Sequence, residues 1–293
     1  MRFAFIKTEK ASEPPIGTVS QLCEALKVSR AGFYAWCSRP ESARVKDDAL
    51  LGVKVGEAFE HGRGKYGSPR VHRELTKQGF AISRKRVIRL MQEQGLVGRP
   101  KRRFVVTTDS EHELEVAPNL LDRDFTASAP NQRWVGDITY LQTPEGFLYL
   151  AVVIDLFSRF VVGWSLSTSI DRHLVLKALE MGLKQRGGAA GAMFHSDQGS
   201  QYASGDYRKA LVASGITCSM SRRGNCWDNA VSESWFSTLK AELGERFKSQ
   251  AAAQRELFDY IEVFYNQRRS HSTLDYVSPA EFERNAAKVK AAA

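Results

Sequence analysis

The chain is 293 residues long and 43% hydrophobic, enough apolar material for two or three globular units without disulfide or metal staples. A formal charge of +9 and a pI near 9.4 favour a polyanionic partner. The longest apolar run, 148–154, is far too short to cross a bilayer, and the four cysteines form no CxxC pair, so a membrane protein or a disulfide scaffold is excluded in favour of reduced thiols in the cytoplasm.

In chain order, 18–38 reads as two short helices, VSQLCEAL and RAGFYAWCS, the second capped by Ser29, and a longer amphipathic helix follows over 43–60. Residues 1–60 form an N-terminal helical segment with a small helix-turn-helix pattern. Between His61 and Val105 stand thirteen Lys and Arg against Glu74 and Glu93 alone, an excess larger than that of the whole chain. This interval, 61–105, contains a helix opened by Ser68 and Pro69, a stop at Gly79, and a helix capped by Ser83 that ends at Gly95. On the second helix Val87, Leu90 and Met91 can face a core while Arg84, Lys85, Arg86 and Arg89 stay outside. A basic helix is often only a solvated face. Here it follows another helix across a short turn and runs on into Lys101, Arg102 and Arg103, so 61–105 reads as a DNA-binding helix-turn-helix region.

Residues 106–130, acidic and without periodicity, read as a linker. From there to 247 the pattern becomes sheet-like. RWVGDITYL, FLYLAVVIDLF and RFVVGWSLS are three antiparallel strands, followed by a helix capped by Asp171, a short strand at 192–195, a helix over 202–214, a strand at 216–220 and a long helix beginning at Asn229. The expected class is α/β, a mixed sheet preceded by an all-α helix-turn-helix region. Residues 248–293 form a C-terminal helical extension.

Three carboxylates stand where such a fold can gather them. Asp137 lies in WVGDITY, a strand buried on both faces, where a carboxylate is costly unless it is paired or binds a cation. Asp197 ends a strand in HSDQGSQY, and Glu233 shares a helix face with Asn229 and Lys240 while Trp235, Leu239 and Leu243 fall on another. Carboxylates converging to about 4 Å repel by roughly 4 kcal/mol per pair at an effective dielectric of 20, so they call for divalent cations. An all-oxygen set selects Mg2+ or Mn2+, and two such ions can stabilise the attacking and leaving oxygens of a displacement at phosphorus.

Other residues keep two readings. His195 is a base beside Asp197 or a packed strand end; Asp155 supports the site or caps the turn after its strand; Asn229 joins the site or caps its helix. Trp227 is a buried anchor or a stacking surface for an unpaired base. His271 reads as structural, and Arg268 and Arg269 as DNA contacts.

WVGDITY, VIDLFSR, HSDQGSQY, SRRGNCWDNAVSESWFSTLKAE and YNQRRSHSTLDYVSPAEF resemble the signature blocks of bacterial insertion-sequence transposases, the second-frame product of the family typified by insertion sequence three. That family belongs to the retroviral-integrase superfamily, so the resemblance implies a ribonuclease-H-like catalytic core over 131–247. Its acidic triad, with thirty-five residues between the second and third members, maps onto Asp137, Asp197 and Glu233 as catalytic and metal-binding residues, and its basic residue two turns on maps onto Lys240, which would hold a DNA phosphate. The implied reaction is cleavage of element ends with two Mg2+ or Mn2+ ions per active site, then attack of the freed 3′-hydroxyl on target DNA. The implied partners are double-stranded DNA, further copies of the chain on that DNA, and an upstream-frame product as a fusion, with no membrane; the implied place is the bacterial cytoplasm, at the nucleoid when bound. A structure-specific nuclease on the same core, and a noncatalytic DNA-binding regulator, are the competing readings.

Overall fold

A computed structural model of the chain describes residues 2–13, 16–98, 116–222 and 226–292. Two compact units divide at Val55 and Gly56. The first holds α1 (Arg2–Ala11), α2 (Val19–Ala25) and α3 (Arg30–Ser38), which bury Ile6, Leu22, Cys23 and Phe33 together. Thr18 starts α2 with a capping box to Gln21, and the Ser29 hydroxyl accepts from the Gly32 amide to start α3. Helix α4 (Ala43–His61) spans the division.

In the second unit, α5 (Ser68–Lys77) and α6 (Arg84–Glu93) pack through Val71, Leu75, Val87, Leu90 and Met91. Ser83 caps α6 by accepting from the Arg86 amide. A five-stranded sheet follows: β1 (Arg133–Thr143), β2 (Gly146–Asp155), β3 (Val161–Ser167), β4 (Met193–Ser196) and β5 (Thr217–Met220). Its order is β3-β2-β1-β4-β5, with β1, β2 and β3 antiparallel and β4 and β5 parallel to β1. The sheet therefore switches from antiparallel to parallel pairing between β1 and β4, and the α/β expectation holds.

Helix α7 (Arg172–Arg186), capped by Asp171 and closed by a left-handed Gly187, covers one sheet face. It comes so near that a Cβ on Gly163 of β3 would lie 2.1 Å from the Ala178 carbonyl oxygen. The core there joins Trp134, Val153, Val162, Leu179, Phe194, Tyr202 and Tyr207. The helix expected over 202–214 is two helices, α8 (Ser200–Ala203) and α9 (Gly205–Ala213), because Ser204 turns extended and its hydroxyl caps α9 at the Tyr207 amide. Helix α10 (Ala230–Glu242) packs on β1. The chain ends with α11 (Gln250–Phe258), a π-helical stretch Asp259–Tyr265 and α12 (Pro279–Ala292).

In the described part of the stretch read as a linker, from Val116 on, Leu121 is buried, and the Leu120 and Leu121 amides donate to the Ser219 hydroxyl of β5 at 2.9 and 3.2 Å. One expectation changes. Arg269, read as a DNA contact, is 3% exposed and donates to Glu242 at the end of α10 at 2.6 Å. Burial pushes the Glu242 pKa up, but the hydrogen bonds and charge of Arg269, with Tyr260 and Arg70, outweigh it and hold Glu242 below its usual value. Arg268 remains exposed. Cys23, Cys37 and Cys218 are free thiols, and no described helix is long and apolar enough to cross a membrane.

Candidate active site

The register of β1 and β4 brings the first two carboxylates together. Their last paired residues are Val135 and His195, and Asp137 and Asp197 each lie two positions further along their strands. In parallel strands equal offsets place side chains side by side on one face. Trp134 and Ile138 belong to the α7 side, so Asp137 falls by alternation on the opposite face. Gly136 between them is required: a Cβ there would lie 2.4 Å from the Phe194 ring and 3.3 Å from the Tyr202 hydroxyl.

The edge of β1 facing away from β2 is interrupted. Strand β4 pairs with it only through Val135, and chain contact resumes at Gln142, whose amide donates to the Glu245 carbonyl at 2.7 Å and whose carbonyl accepts from the Phe247 amide at 2.9 Å. Between those points, among the described residues, no strand covers that edge. A cavity of about 580 Å³ opens along it, lined by Asp137, Thr139, Tyr140, Asp197, Gln201 and Tyr202 among others.

Asp137 is 9% exposed. Its carboxylate accepts from the Ile138 amide at 2.7 Å. Burial, then the charge of Asp197 and more weakly that of Glu233, push its pKa well above the usual carboxylate range, against that one hydrogen bond. Asp197 accepts from the Gly199 amide at 3.0 Å, which turns the chain away beyond the strand. Glu233 is half-buried and raised by burial. It acts on Asp137 through its charge but does not line the cavity, and among the described residues no three His, Cys, Asp or Glu side chains are drawn close enough to grip one ion. The structure thus brings Asp137 and Asp197 together, with Glu233 nearby on α10.

Lys240, two turns past Glu233, sets its ammonium 4.6 Å from the centre of the Tyr140 ring, on the cavity wall. Burial lowers its pKa, with Glu245 opposing. Asn229 is buried but makes no side-chain cap to α10, and its Oδ1 has no hydrogen-bond partner. His195 is fully buried. Ser219 already accepts two amides, so its one hydroxyl proton goes to His195 Nδ1 at 2.9 Å, and burial drops the histidine pKa to about 4 despite Asp228. His195 therefore, as a neutral ring, orients the Ser219 hydroxyl that holds the Leu120 and Leu121 amides.

Asp155 is turned to the frame of the fold: it accepts from the Asn131 and Phe157 amides at 2.8 and 2.9 Å and faces Arg186. Trp227 is 69% exposed, which overturns the buried-anchor reading. Arg84 and Lys85 are exposed on α6, Arg86 and Arg89 partly covered; Lys101, Arg102 and Arg103 lie outside the described residues. Sequence reasoning missed Tyr202, whose hydroxyl feels both Asp137 and Asp197, and the aromatic wall of Tyr140, Phe147 and Tyr149. No spacing rule ties Tyr202 to the carboxylates; only the packing of α8 under β1 does.

Comparison with known families agrees with this arrangement. The family described as integrase core domain matches residues 127–226, a second integrase core domain family matches 214–279, and an HTH-like domain matches 46–104. The transposase InsF for insertion sequence IS3A of Escherichia coli strain K12 is 41% identical over 287 residues, 97% of this chain and 98% of that one. The 31 kDa protein of insertion element IS600 from Shigella sonnei is 42% identical over 263 residues, 89% of this chain and 97% of its own. Among solved structures, the catalytic core domain of HTLV-2 integrase in complex with magnesium is similar over 54% of this chain and 99% of its own, with a TM-score of 0.42 and 16% identity. Identity at this level along nearly the full length, with the integrase core falling on the sheet that carries the carboxylates, shows that the chain belongs to the IS3 family of DNA transposases.

Proposed function

We propose that Asp137, Asp197 and Glu233 are the catalytic and metal-binding residues of this transposase, and that it cleaves the ends of its element and joins the freed 3′-hydroxyl to target DNA. The observation that carries the reading is the buried Asp137 beside Asp197 at an uncovered strand edge. Two adjoining carboxylates repel one another, and an all-oxygen donor set of this kind suits Mg2+ or Mn2+. Asp137 and Asp197 fit such ions as they stand. Glu233 fits if α10 or its side chain closes toward them. Two bound ions would supply charge neutralisation at the attacking and leaving oxygens.

The chain's own residues account for the rest. The gap in β1 admits the phosphodiester to Asp137 and Asp197. In cleavage, the oxygen of a water forms a bond to phosphorus while the bond to the 3′-oxygen breaks, which takes up a proton to become the free 3′-hydroxyl. In joining, that hydroxyl forms the new bond to a target phosphorus and a target 3′-hydroxyl leaves. Lys240, flexible on its stem beside Tyr140, holds a neighbouring phosphate. Tyr202, kept protonated by burial, offers a hydrogen-bond donor beside the two aspartates. Asn229, with an unsatisfied buried Oδ1, belongs to the site rather than to the helix cap. His195 and Asp155 support it only by holding the strands' surroundings.

Residues 61–105 bind the element's terminal repeats through Arg84, Lys85, Arg86 and Arg89 and through Lys101, Arg102 and Arg103, ahead of a core at 131–247 and the extension at 248–293. The chain acts in the cytoplasm at the nucleoid, as several copies on DNA, and as a fusion with an upstream frame. The deciding assay incubates the full chain with a duplex of the terminal repeat, read from DNA flanking its frame, and a target plasmid. Joined product with Mg2+ or Mn2+, and none with EDTA, is expected. Degradation of RNA:DNA hybrids without any joining would replace transposition by nuclease activity.

A further inference from the structure

One buried acid has no part in the cavity. Asp228 lies in the 3-10 turn Cys226–Asn229 that leads into α10, two residues before the helix begins and five before Glu233. It is fully buried. Its carboxylate oxygens accept from the Arg222 amide, Nε and Nη2 at 3.0, 2.9 and 2.8 Å, from Arg123 Nε at 3.0 Å and from Asn119 Nδ2 at 3.0 Å. Led by Arg222, these bonds outweigh burial and hold the carboxyl well below the usual carboxylate range. Asp228 is thus a fixed charge at the foot of α10, and the chemistry at Asp137 and Asp197 gives it no task.

Its partners lead back to Asp197. Arg222 follows Ser221, whose amide donates to the Ser196 carbonyl at 2.9 Å and whose carbonyl accepts from Gln198 Nε2 at 2.8 Å. Ser196 and Gln198 are the two neighbours of Asp197 in sequence. A continuous hydrogen-bonded path therefore runs from both sides of Asp197 through Ser221, Arg222 and Asp228 to the start of the helix that carries Glu233. At that start Asn229 makes no side-chain cap, while Trp235, Phe236 and Leu239 hold α10 by burial alone. Apolar burial is non-directional, whereas charged hydrogen bonds fix a position. We propose that Asp228 is a positioning residue for Glu233: it fixes the start of α10 against the end of β4, and with it the separation of Glu233 from Asp197. Glu233 stands outside the lining of the cavity that Asp137 and Asp197 share, so its reach to an ion they hold depends on where α10 begins.

The inference rests on Glu233 being a metal ligand, and its test separates the two. Mn2+ is titrated calorimetrically into the full chain bound to its terminal-repeat duplex, so the readout is affinity and not turnover. Asp228→Asn keeps the size of the side chain and removes its charge. It is expected to weaken Mn2+ binding by about tenfold, the scale of losing a residue that orients a ligand, with duplex binding unchanged. Arg222→Gln, at an exposed side chain, is expected to give a smaller loss in the same direction. In a Glu233→Gln chain, Asp228→Asn is expected to add no further loss, because its effect passes through Glu233. A merely structural Asp228 would lower the Tm and leave the Mn2+ affinity where it was. Unchanged affinity in Asp228→Asn, or in Arg222→Gln should the first variant not fold, overturns the positioning role, as does an equal loss with and without Glu233. Unchanged affinity in Glu233→Gln alone overturns the assignment of Glu233 as a ligand, and the proposal falls with it.

Discussion

Asp137 is held at a cost to stability. Its folded pKa stands well above the usual carboxylate value because it is buried and faces Asp197. A group raised in this way contributes its full stability below its unfolded pKa and loses it as pH climbs through the folded value, since ionisation is easier in the unfolded chain. The metal-free protein is therefore expected to weaken as pH rises above about 4 on account of this residue. Asp137→Asn removes the penalty and should raise the Tm of the metal-free protein at pH 7.5 by a few degrees, with the gain vanishing near pH 4. Mg2+ should raise the Tm of the unsubstituted chain and leave the variant almost unmoved. Thermal unfolding across pH would show coincident curves if Asp137 were an ordinary surface acid. The cost was legible in WVGDITY, where an acid interrupts a buried strand. The burial of Arg269 was not: it depends on Glu242, twenty-seven positions earlier, and nothing local distinguishes Arg269 from the exposed Arg268 beside it.

At the scale of elements, the two helices of the basic region have different duties. Helix α5 is docked on the C-terminal extension: Arg70 donates to the Ser270 carbonyl at 3.0 Å, Arg73 to Asp275 at 2.8 Å and Lys77 to the Tyr276 carbonyl at 2.8 Å. The Tyr66 hydroxyl just before it accepts from the Ser270 amide at 2.8 Å. Those cations are engaged, whereas Arg84 and Lys85 of α6 stand in solvent, which is why the proposed phosphate contacts are placed there. Replacing both by Ala should lower the slope of log binding constant against log salt by roughly 0.9 for each phosphate no longer neutralised. An unchanged slope in a filter-binding titration would move the DNA surface off α6. Helix ends were readable because capping is local, as Ser83, Asp171 and Gly187 show. The docking of α5 was unreadable because its partners lie some two hundred residues away, and the break at Ser204 was hidden inside a continuous helical pattern.

Across the larger unit, one polar centre links DNA-binding and catalytic parts. Glu242, two residues past Lys240 on α10, is met by Arg269 and Tyr260 and lies 3.8 Å from Arg70 at the start of α5. The extension thus holds the basic helices and the end of the catalytic helix in one arrangement. Sheet class and the order in which the strands appear were legible from periodicity, and the nearness of Asp137 to Asp197 from the family's blocks. The gap in β1 was not, since it arises from where β4 stops and the chain at Gln142 finds Glu245 and Phe247. The cavity along that gap reaches the two aspartates, and Glu233 is not part of its lining. Whether all three acids act on DNA together is the central question. Cleavage of a labelled terminal-repeat duplex in Mg2+ should be measured for Asp137→Ala, Asp197→Ala and Glu233→Ala, with duplex binding recorded on the same samples. A joint role predicts a loss of at least about a thousandfold in cleavage for each, the scale of removing a group from transition-state stabilisation, with binding retained; cleavage persisting near the unsubstituted rate in any one of them would contradict it.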